Sequence, residues 1–410
     1  MTRLRLALLF LFALGAPSVA LAGRGASLKV IRQSDLADAI KATSIATIRR
    51  MEPTLSASQF HDKIKSALRS PMHLKQTFPG LLGTMVKPLL GTAAMPGKVV
   101  PIGFDDHIEN TGVVRVGKDD KGRRRSIETI IDLDDAGLGP AGLEALSIGT
   151  ALEQAGYKRK VLTRAARTFA AAATGEEQVP LDVKGPRWGK LRRDWMKAHT
   201  RLEDRGGRQV LSLKGTTRAS AETYRAVERV AKHDGFLSHY EVLDIASHAK
   251  TDGGSGGLIE YELLAREHGK DEPRVFLLKE QNEPGSAQLG LPQASDAGRL
   301  DQLEAGLWKD VPKGVFFYMR GVSVPGRDRP IDLLARDKLA IVGNVASGSN
   351  AKETALRVAR LYGREHAGQF GGLGADELSH WMEHSTKAVS RGFETLRKQL
   401  RSELKTWTPE

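Results

Sequence analysis

The chain contains 410 residues, of which 62 are lysine or arginine, 49 are aspartate or glutamate, and none is cysteine. The absence of cysteine excludes disulfide scaffolds, thiolate metal sites, iron–sulfur clusters and cysteine nucleophiles. Hydrophobic residues at 40% and charged residues at 27% are typical of a globular protein, and the length predicts two lobes or domains. The net charge of +13 favours acidic partners without identifying one.

The N-terminal residues 1–22 have the layout of a secretory signal peptide. Arg3 and Arg5 precede an uncharged apolar run from Leu6 to Ala16, and Ala20-Leu21-Ala22 supplies a small-x-small cleavage site. The run is shorter than the ~20 residues that span a bilayer as a helix, although an uncleaved anchor is the alternative. We therefore expect a periplasmic or secreted protein that is cleaved after Ala22 and has no transmembrane span.

The rest of the chain alternates between helical and β-like patterns. In chain order, apolar spacing predicts helices at 28–72, 141–174, 219–233, 296–309, 351–367 and 375–404. Strands are expected at 99–102, 113–116, 129–131 and 315–319 and within 240–278. A glycine- and proline-rich stretch over 79–101 interrupts the first helical region, and a basic stretch over 184–208 follows the second. These patterns predict helix-rich ends around a β-rich centre.

Two acidic segments carry the strongest chemical signal. Asp105 lies five residues before Asn110, which is the spacing of the proton-accepting aspartate and the metal-binding asparagine in a kinase catalytic loop. A predicted strand then leads into Asp132, with Asp134 close behind as a further candidate metal ligand, much as a kinase presents its metal-binding aspartate. Such oxygen ligands suit Mg²⁺. Either segment alone is typical of a solvated turn, but the two in sequence favour a site.

A glycine-rich turn and a lysine follow these segments. Gly254-Ser255-Gly256 lies between two predicted strands, and Lys279 ends the next one. Glycines let a backbone approach phosphates, and a strand-borne lysine pairs with them. The next helix offers Glu304, or else Asp301, as the acidic partner of Lys279. Because these parts precede the catalytic loop in a kinase and follow it here, we predict a circular permutation.

Seven short motifs occur in the same order as in a known bacterial family. They are Asp105-Asp106-His107-Ile108-Glu109-Asn110, Asp132-Leu133-Asp134-Asp135, Gly139-Pro140, Gly254-Ser255-Gly256, Leu278-Lys279-Glu280, Tyr318-Met319-Arg320 and Gly363-Arg364-Glu365-His366-Ala367. Together they resemble the domain-of-unknown-function family 2252, which is placed in the protein-kinase-like superfamily. The resemblance spans residues 70 to 370.

The resemblance implies an α+β, helix-rich, two-lobed protein-kinase-like fold. It implies that Asp105 is the catalytic-loop aspartate, that Asn110 and Asp132 bind metal, and that Lys279 contacts phosphate. The implied cofactors are Mg²⁺ and ATP. The expected segments are a signal peptide (1–22), an N-terminal helical segment (23–98), a catalytic-loop and metal lobe (99–235), a β-rich nucleotide lobe (236–322) and C-terminal helices (323–410).

Three departures from the family pattern leave a second hypothesis open. Phe104 stands where the family usually has glycine, and Lys75-Gln76 stands in place of an early Arg-Gly. A Trp-Asp-Leu-Lys-Arg-Leu helix start corresponds to Leu143-Glu144-Ala145-Leu146-Ser147-Ile148, without its aspartate and arginine. The chain is therefore predicted to be either a phosphotransferase, with Asp105 orienting an acceptor hydroxyl, or a degenerate binding module of the cell envelope with an acidic envelope surface as partner.

Other motifs support weaker alternatives. Asp105, His107, Asn110, Asp132 and Asp134 could build a metal-dependent phosphoester hydrolase. Gly253-Gly254-Ser255-Gly256-Gly257 fits a nucleophile elbow, but its entry is polar. His380-Trp381-Met382-Glu383-His384 fits an inverted zinc-protease motif, but no suitable third ligand follows it. The stretch 184–208 is basic, but it contains no recognised nucleic-acid-binding motif, so we do not expect nucleic-acid binding.

Overall fold

A computed structural model describes residues 28–118, 121–122, 124–133, 135–180, 202–213, 216–233, 239–249, 257–271, 273–281, 284–293, 296–312, 314–338, 340–344 and 350–408. Within these residues the chain is an α+β protein with eleven α-helices and four sheets. The signal-peptide prediction falls outside them. No helix in the described ranges combines the length and apolar character needed to cross a membrane.

The helices lie mainly at the two ends of the chain, as expected. They are α1 (Gln33–Ala42), α2 (Ile45–Met51), α3 (Ala57–Ala67), α4 (Pro71–Thr77), α5 (Gly80–Val86), α6 (Ala141–Gln154), α7 (Arg159–Thr174), α8 (Ala221–His233), α9 (Asp296–Ala305), α10 (Ala351–Glu365) and α11 (Ala375–Leu404). Short 3₁₀ turns occur at Lys87–Leu89, Ile108–Asn110 and Gly285–Leu289.

The strands form one large antiparallel sheet and three small ones. They are β1 (Val99–Ile102), β2 (Thr111–Lys118), β3 (Arg124–Ile130), β4 (Gly137–Pro140), β5 (Leu202–Arg205), β6 (Arg208–Leu211), β7 (Thr217–Arg218), β8 (Tyr240–Ala249), β9 (Ile259–Glu267), β10 (Pro273–Glu280), β11 (Phe316–Val322), β12 (Ile331–Asp337) and β13 (Ile341–Asn344). The large sheet has the order β11-β12-β10-β9-β8-β7, and β13-β2-β3 and the pairs β1-β4 and β5-β6 complete the set.

The last helix, α11, organises the helical body. It begins after Gly374 with Asp376 and Glu377 in its first turn, where acidic side chains favour the positive end of the helix dipole. One face, which includes Trp381 and Phe393, is fully buried. This face packs against α1, α4, α6 and α7, so residues near the two ends of the described chain share one core.

A second, smaller core lies between helix α8 and the large sheet. Val227 of α8 is buried there with Ile245, Phe276, Met319 and Leu333 from four different strands. The alternating apolar residues of these strands therefore have a helix to cover one face. Because β12 pairs with both β10 and β11, the sheet extends past residue 322, where the β-rich lobe was expected to end.

Three local predictions were wrong. The glycine-rich stretch after residue 79 forms helix α5, since buried Leu81, Leu82 and Met85 outweigh the low helix propensity of its glycines. The helix expected over 141–174 is two helices, which separate at Gly156, where φ is +81°. Strand β12, inside the large sheet, and strand β13, at the edge of a small one, were not predicted, because short strands are specified by the distant strands with which they pair.

Candidate active site

Asp105 lies in a loop that follows strand β1 and is fixed at both ends. The Gly103 amide donates a hydrogen bond to Glu144 Oε2 of helix α6 (2.7 Å). The Asn110 side-chain amide donates to the Asp105 carbonyl oxygen (2.5 Å), and the Ile131 amide donates to the Asn110 carbonyl (2.7 Å). The loop is therefore attached to α6 at its start and to the end of β3 at its finish.

Phe104, directly before Asp105, adopts a left-handed backbone conformation with φ of 68°. A residue with a Cβ atom pays roughly 1–2 kcal/mol for this conformation, and such strain is typical of functional loops. The ring is buried where Gly83 and Gly285 leave room, because a Cβ on either would lie 3.2 or 2.9 Å from a ring atom. The Ser147 hydroxyl also donates to the Phe104 carbonyl (2.9 Å). Packing therefore holds a phenylalanine where glycine would be the easier residue.

This strain predicts an unusual order of stabilities. Phe104→Gly and Phe104→Ala should each lower the free energy of unfolding by about 3–5 kcal/mol, because both remove the buried ring. The glycine variant should be about 1 kcal/mol more stable than the alanine variant, because glycine has no Cβ atom to oppose the left-handed conformation. At Phe78, which is equally buried with φ of −131°, the order should reverse. Chemical denaturation measures all four variants. The same order at both positions would contradict a strained Phe104.

The Asp105 side chain is mostly buried and keeps 19% exposure, so a substrate can reach it. Burial raises the pKa of Asp105 to about 7, with Asp132 and Asp106 adding to the rise and Lys75 opposing it. Among the described residues Asp105 Oδ1 has no hydrogen-bond partner, and Oδ2 lies 3.7 Å from His107 Nε2. Burial lowers the pKa of His107 to about 4, so this imidazole is neutral at neutral pH.

Asp132 follows the end of β3 and meets two cations of the large sheet. Its Oδ1 lies 3.8 Å from Lys279 Nζ on β10 and 3.8 Å from Arg336 Nη1 on β12. Arg336 also donates to the Ile131 carbonyl (2.8 Å), which ties the sheet to the end of β3. Because the charges of Lys279 and Asp132 both act on Asp105, the structure brings these three predicted residues together.

Lys75 and Asp135 interact electrostatically with Asp105 but were not predicted as site residues. Lys75 of α4 is fully buried, and its Nζ donates to the Asp106 carbonyl (3.2 Å). Burial lowers the pKa of Lys75, and the nearby carboxylates, Asp105 first, oppose that effect. Burial, then Asp105, raises the pKa of Asp135 to about 6, and Lys279 opposes it. Helix α4 therefore places a buried cation against the loop that carries Asp105 and Asp106.

A second carboxylate pair lies beneath the loop. Asp106 is 1% exposed, and burial together with the neighbouring Glu144 raises its pKa well above the ordinary value. Burial also raises the pKa of Glu144 to about 7. His366 Nε2 lies 3.4 Å from Glu144 Oε2, and burial lowers the pKa of His366 to about 4. Glu144 thus joins the Asp105 loop, through the Gly103 amide, to His366 near the end of α10.

The predicted glycine turn, Gly254-Ser255-Gly256, lies outside the described residues, and Gly257 is the first described residue after it. Arg327 donates two hydrogen bonds to Glu280, at 2.7 and 2.6 Å, and a third to the Gly257 carbonyl (3.0 Å). Glu280 also accepts from the Ile259 amide (2.8 Å). Gly257, the residue after the predicted turn, is therefore tied through Arg327 to Glu280, the residue after Lys279.

Asp134 and Glu304 are the two remaining residues that the sequence predicted for the site. Asp134 lies outside the described residues. Glu304 is half-buried on α9, and Arg299 of the same helix donates to Gln281 Oε1 (3.1 Å), directly after β10. A pairing between Lys279 and Glu304 stays a prediction.

The rejected motifs gain no support within the described residues. His380 and His384 are exposed neighbours on α11 with ring centroids 4.4 Å apart, and Glu383 instead accepts from the Thr163 hydroxyl (2.9 Å). The basic stretch 184–208 lies mostly outside the described ranges.

Comparison with known proteins identifies no relative. No protein-family model, no curated protein and no solved structure matches this chain.

Proposed function

We propose that this chain is a kinase-like phosphotransferase that binds ATP and Mg²⁺ in the cleft between its helical body and its large sheet. The observation that carries the proposal is the convergence of Asp105, Asp132 and Lys279, which come from three distant segments. A kinase site needs these three functions together: an aspartate at the acceptor hydroxyl, an aspartate for the metal and a lysine for phosphate.

Asp105 has the properties of a group that orients an acceptor hydroxyl and accepts its proton. General bases work best with a pKa near the operating pH, and the pKa of Asp105 is raised to about 7. Its partial exposure leaves room for a substrate. Lys279, at 11% side-chain exposure, would pair with the phosphates while its charge balances Asp132.

The residues of the cleft fit a magnesium ion that is shared with a nucleotide. Asp105 Oδ1 is buried without a partner among the described residues. The charge of Asp132 raises the pKa values of both Asp105 and Asp135, and the charge of Asp105 also raises that of Asp135, a repulsion that a cation relieves. The described residues hold no cluster of three acidic or histidine ligands, but Mg²⁺ commonly uses one or two carboxylates with phosphates and water. Asn110 and Asp132 would hold it, with Asp134 as a further candidate. When bound, the ion would neutralise charge on the transferred phosphoryl group.

Thermal unfolding with nucleotides tests the proposal. ATP with Mg²⁺ should raise the melting temperature, because a ligand that binds only the folded state stabilises it by mass action. Asp132→Ala should abolish the part of the shift that depends on Mg²⁺. Asp204→Ala, which changes an exposed aspartate of the β5-β6 hairpin, is the control and should keep the shift. A full Mg²⁺-dependent shift in Asp132→Ala would overturn the site assignment.

A second candidate is a kinase-like module that does not catalyse. It is favoured by the ion pairs of Asp132 with Lys279 and Arg336, because these cations already neutralise the carboxylate that a metal would need. Such a module would show no thermal shift with any nucleotide, or a shift without phosphoryl transfer to water or to added alcohols. Turnover of a phosphoester without added nucleotide would instead favour a metal-dependent hydrolase.

We further propose that residues 1–22 direct export, so that the chain works in the periplasm or outside the cell, where its basic surface would meet acidic envelope components. Mass spectrometry of the exported protein should show an N-terminus at Gly23. A chain that retains Met1 in the exported fraction would contradict cleavage after Ala22.

A further inference from the structure

Helix α11 carries two histidines, His380 and His384, on its solvent-facing side. They are four residues apart, and residues at this spacing lie one above the other on the same face of a helix. Their ring centroids are 4.4 Å apart. Both residues are exposed, and neither ring takes part in a hydrogen bond or an ion pair within the described part of the chain. The two imidazoles are therefore adjacent to each other and accessible from solvent.

The helix beneath the two histidines is fixed by its buried face. The residue directly after each histidine, Trp381 or Ser385, is fully buried. The Trp381 indole donates to the Ala94 carbonyl (3.1 Å), and the Ser385 hydroxyl accepts from the Ile31 amide (3.0 Å). The backbone that carries the two rings is therefore held in place before any ligand binds, and such preorganisation lowers the cost of binding a ligand that needs both rings.

The charged residues near the pair do not oppose a cation. Asp376 and Glu377 lie one turn before the pair, in the first turn of α11, and both are exposed. On the other side, Lys387 of α11 and Arg159 of α7 are the neighbouring bases, and Arg159 lies 3.8 Å from Glu383. These three acids outnumber the two bases, so the local charge is compatible with a divalent cation.

We propose that His380 and His384 chelate one divalent transition-metal ion, Cu²⁺ or Zn²⁺. Imidazole nitrogen is a favoured ligand of both ions, whereas Mg²⁺ requires oxygen ligands. The described residues hold no group of three acidic or histidine ligands, so water completes the coordination. Glu383 takes no part, because it accepts the Thr163 hydroxyl, and the zinc-protease motif is not needed for this site. The site shares no residue with the proposed nucleotide cleft and does not depend on it.

Metal titration of the purified, untagged chain at pH 7.5 tests this proposal, because metals bind the neutral imidazole. By calorimetry, Cu²⁺ should bind more tightly than Zn²⁺, which is their order for nitrogen ligands. His380→Ala and His384→Ala should each weaken Zn²⁺ binding by about tenfold or more, because either variant leaves one ligand and loses the chelate. His239→Ala, which changes an exposed histidine before β8, is the control and should keep the parent's affinity.

Two further measurements separate this site from folding effects and from the nucleotide cleft. Both histidines are exposed, so their alanine variants should melt at the parent's temperature without metal, and only the parent should be stabilised by Zn²⁺. Asp132→Ala should keep the parent's Zn²⁺ affinity. The proposal would be overturned by a parent that binds neither Cu²⁺ nor Zn²⁺, or by Zn²⁺ affinity that is unchanged in both histidine variants. Loss of Zn²⁺ binding in Asp132→Ala would also overturn it, since the ion would then lie in the cleft.

Discussion

Replacing Lys75 with methionine is expected to lower the free energy of unfolding by about 3–5 kcal/mol near pH 7.5, the cost of removing one partner from a buried charge cluster. Lys75 is fully buried and acts on Asp105, Asp106, Glu144 and Asp135. Without its charge, these acids would face one another in a medium that solvates them poorly. Since native proteins are stable by only about 5–15 kcal/mol, the loss would be a large part of the total.

The pH dependence distinguishes this effect from a loss of packing. At pH 5 the carboxyl groups of Asp105, Asp135 and Glu144, with pKa values raised to about 7, 6 and 7, are largely protonated and need less neutralisation. The destabilisation in Lys75→Met should therefore shrink at pH 5. Lys65→Met, on an exposed position of α3, should change stability by less than about 0.5 kcal/mol. An equal loss from Lys75→Met at both pH values would contradict the electrostatic role of Lys75.

Replacing Asp105 with asparagine is expected to stabilise the free protein at pH 8 and to remove the proposed phosphoryl transfer. The pKa of Asp105 is raised to about 7 from an ordinary value of 3.8, so folding favours the protonated form. The stabilisation associated with that form is complete below about pH 4 and is lost as the pH rises through about 7. Asparagine resembles the protonated acid and avoids the loss, which is on the order of 2–4 kcal/mol at pH 8.

The same variant separates stability from function. Loss of a general base typically reduces a rate by about 10²–10⁴-fold, so phosphoryl transfer should fall by that factor while stability at pH 8 increases. Denaturation curves at pH 5 and pH 8 measure the first effect, and transfer from labelled ATP measures the second. Asp62→Asn, at a 75% exposed side chain, is the control and should change neither. A variant of Asp105 that is less stable than the parent at pH 8 would contradict the raised pKa.

The sequence was informative about the parts of the site that lie in short, local patterns. The spacing of Asp105 and Asn110 and the apolar strand before Asp132 predicted residues that meet in the structure, as did the strand that ends at Lys279. The α+β class and the last helix, α11, were also predicted correctly, because alternating and helical patterns report directly which faces are buried.

The rest of the site depends on contacts between residues far apart in the chain, and the spacing of residues in the sequence does not reveal such contacts. Lys75 lies in a short helix whose pattern is typical of a surface segment, yet α4 inserts it beneath the Asp105 loop. Glu144 offered a signal that was missed, because it is the one charged residue between Ala141 and Leu152 in an otherwise apolar or small-residue helix. A lone acid inside such a run indicates a buried polar partner, and here it holds the Gly103 amide.

The central claim is that Lys279, Asp105 and Asp132 form one nucleotide site. The affinity for ATP in the presence of Mg²⁺ tests this claim most directly. Lys338→Met is the matched control for Lys279→Met, since both lysines are about one-tenth exposed and each is ion-paired next to or within the large sheet. By calorimetric titration, we expect the parent and Lys338→Met to bind with similar affinity and Lys279→Met to bind at least about tenfold more weakly, the equivalent of 1.4 kcal/mol. Equal affinity in all three proteins, or no binding by the parent, would contradict the claim.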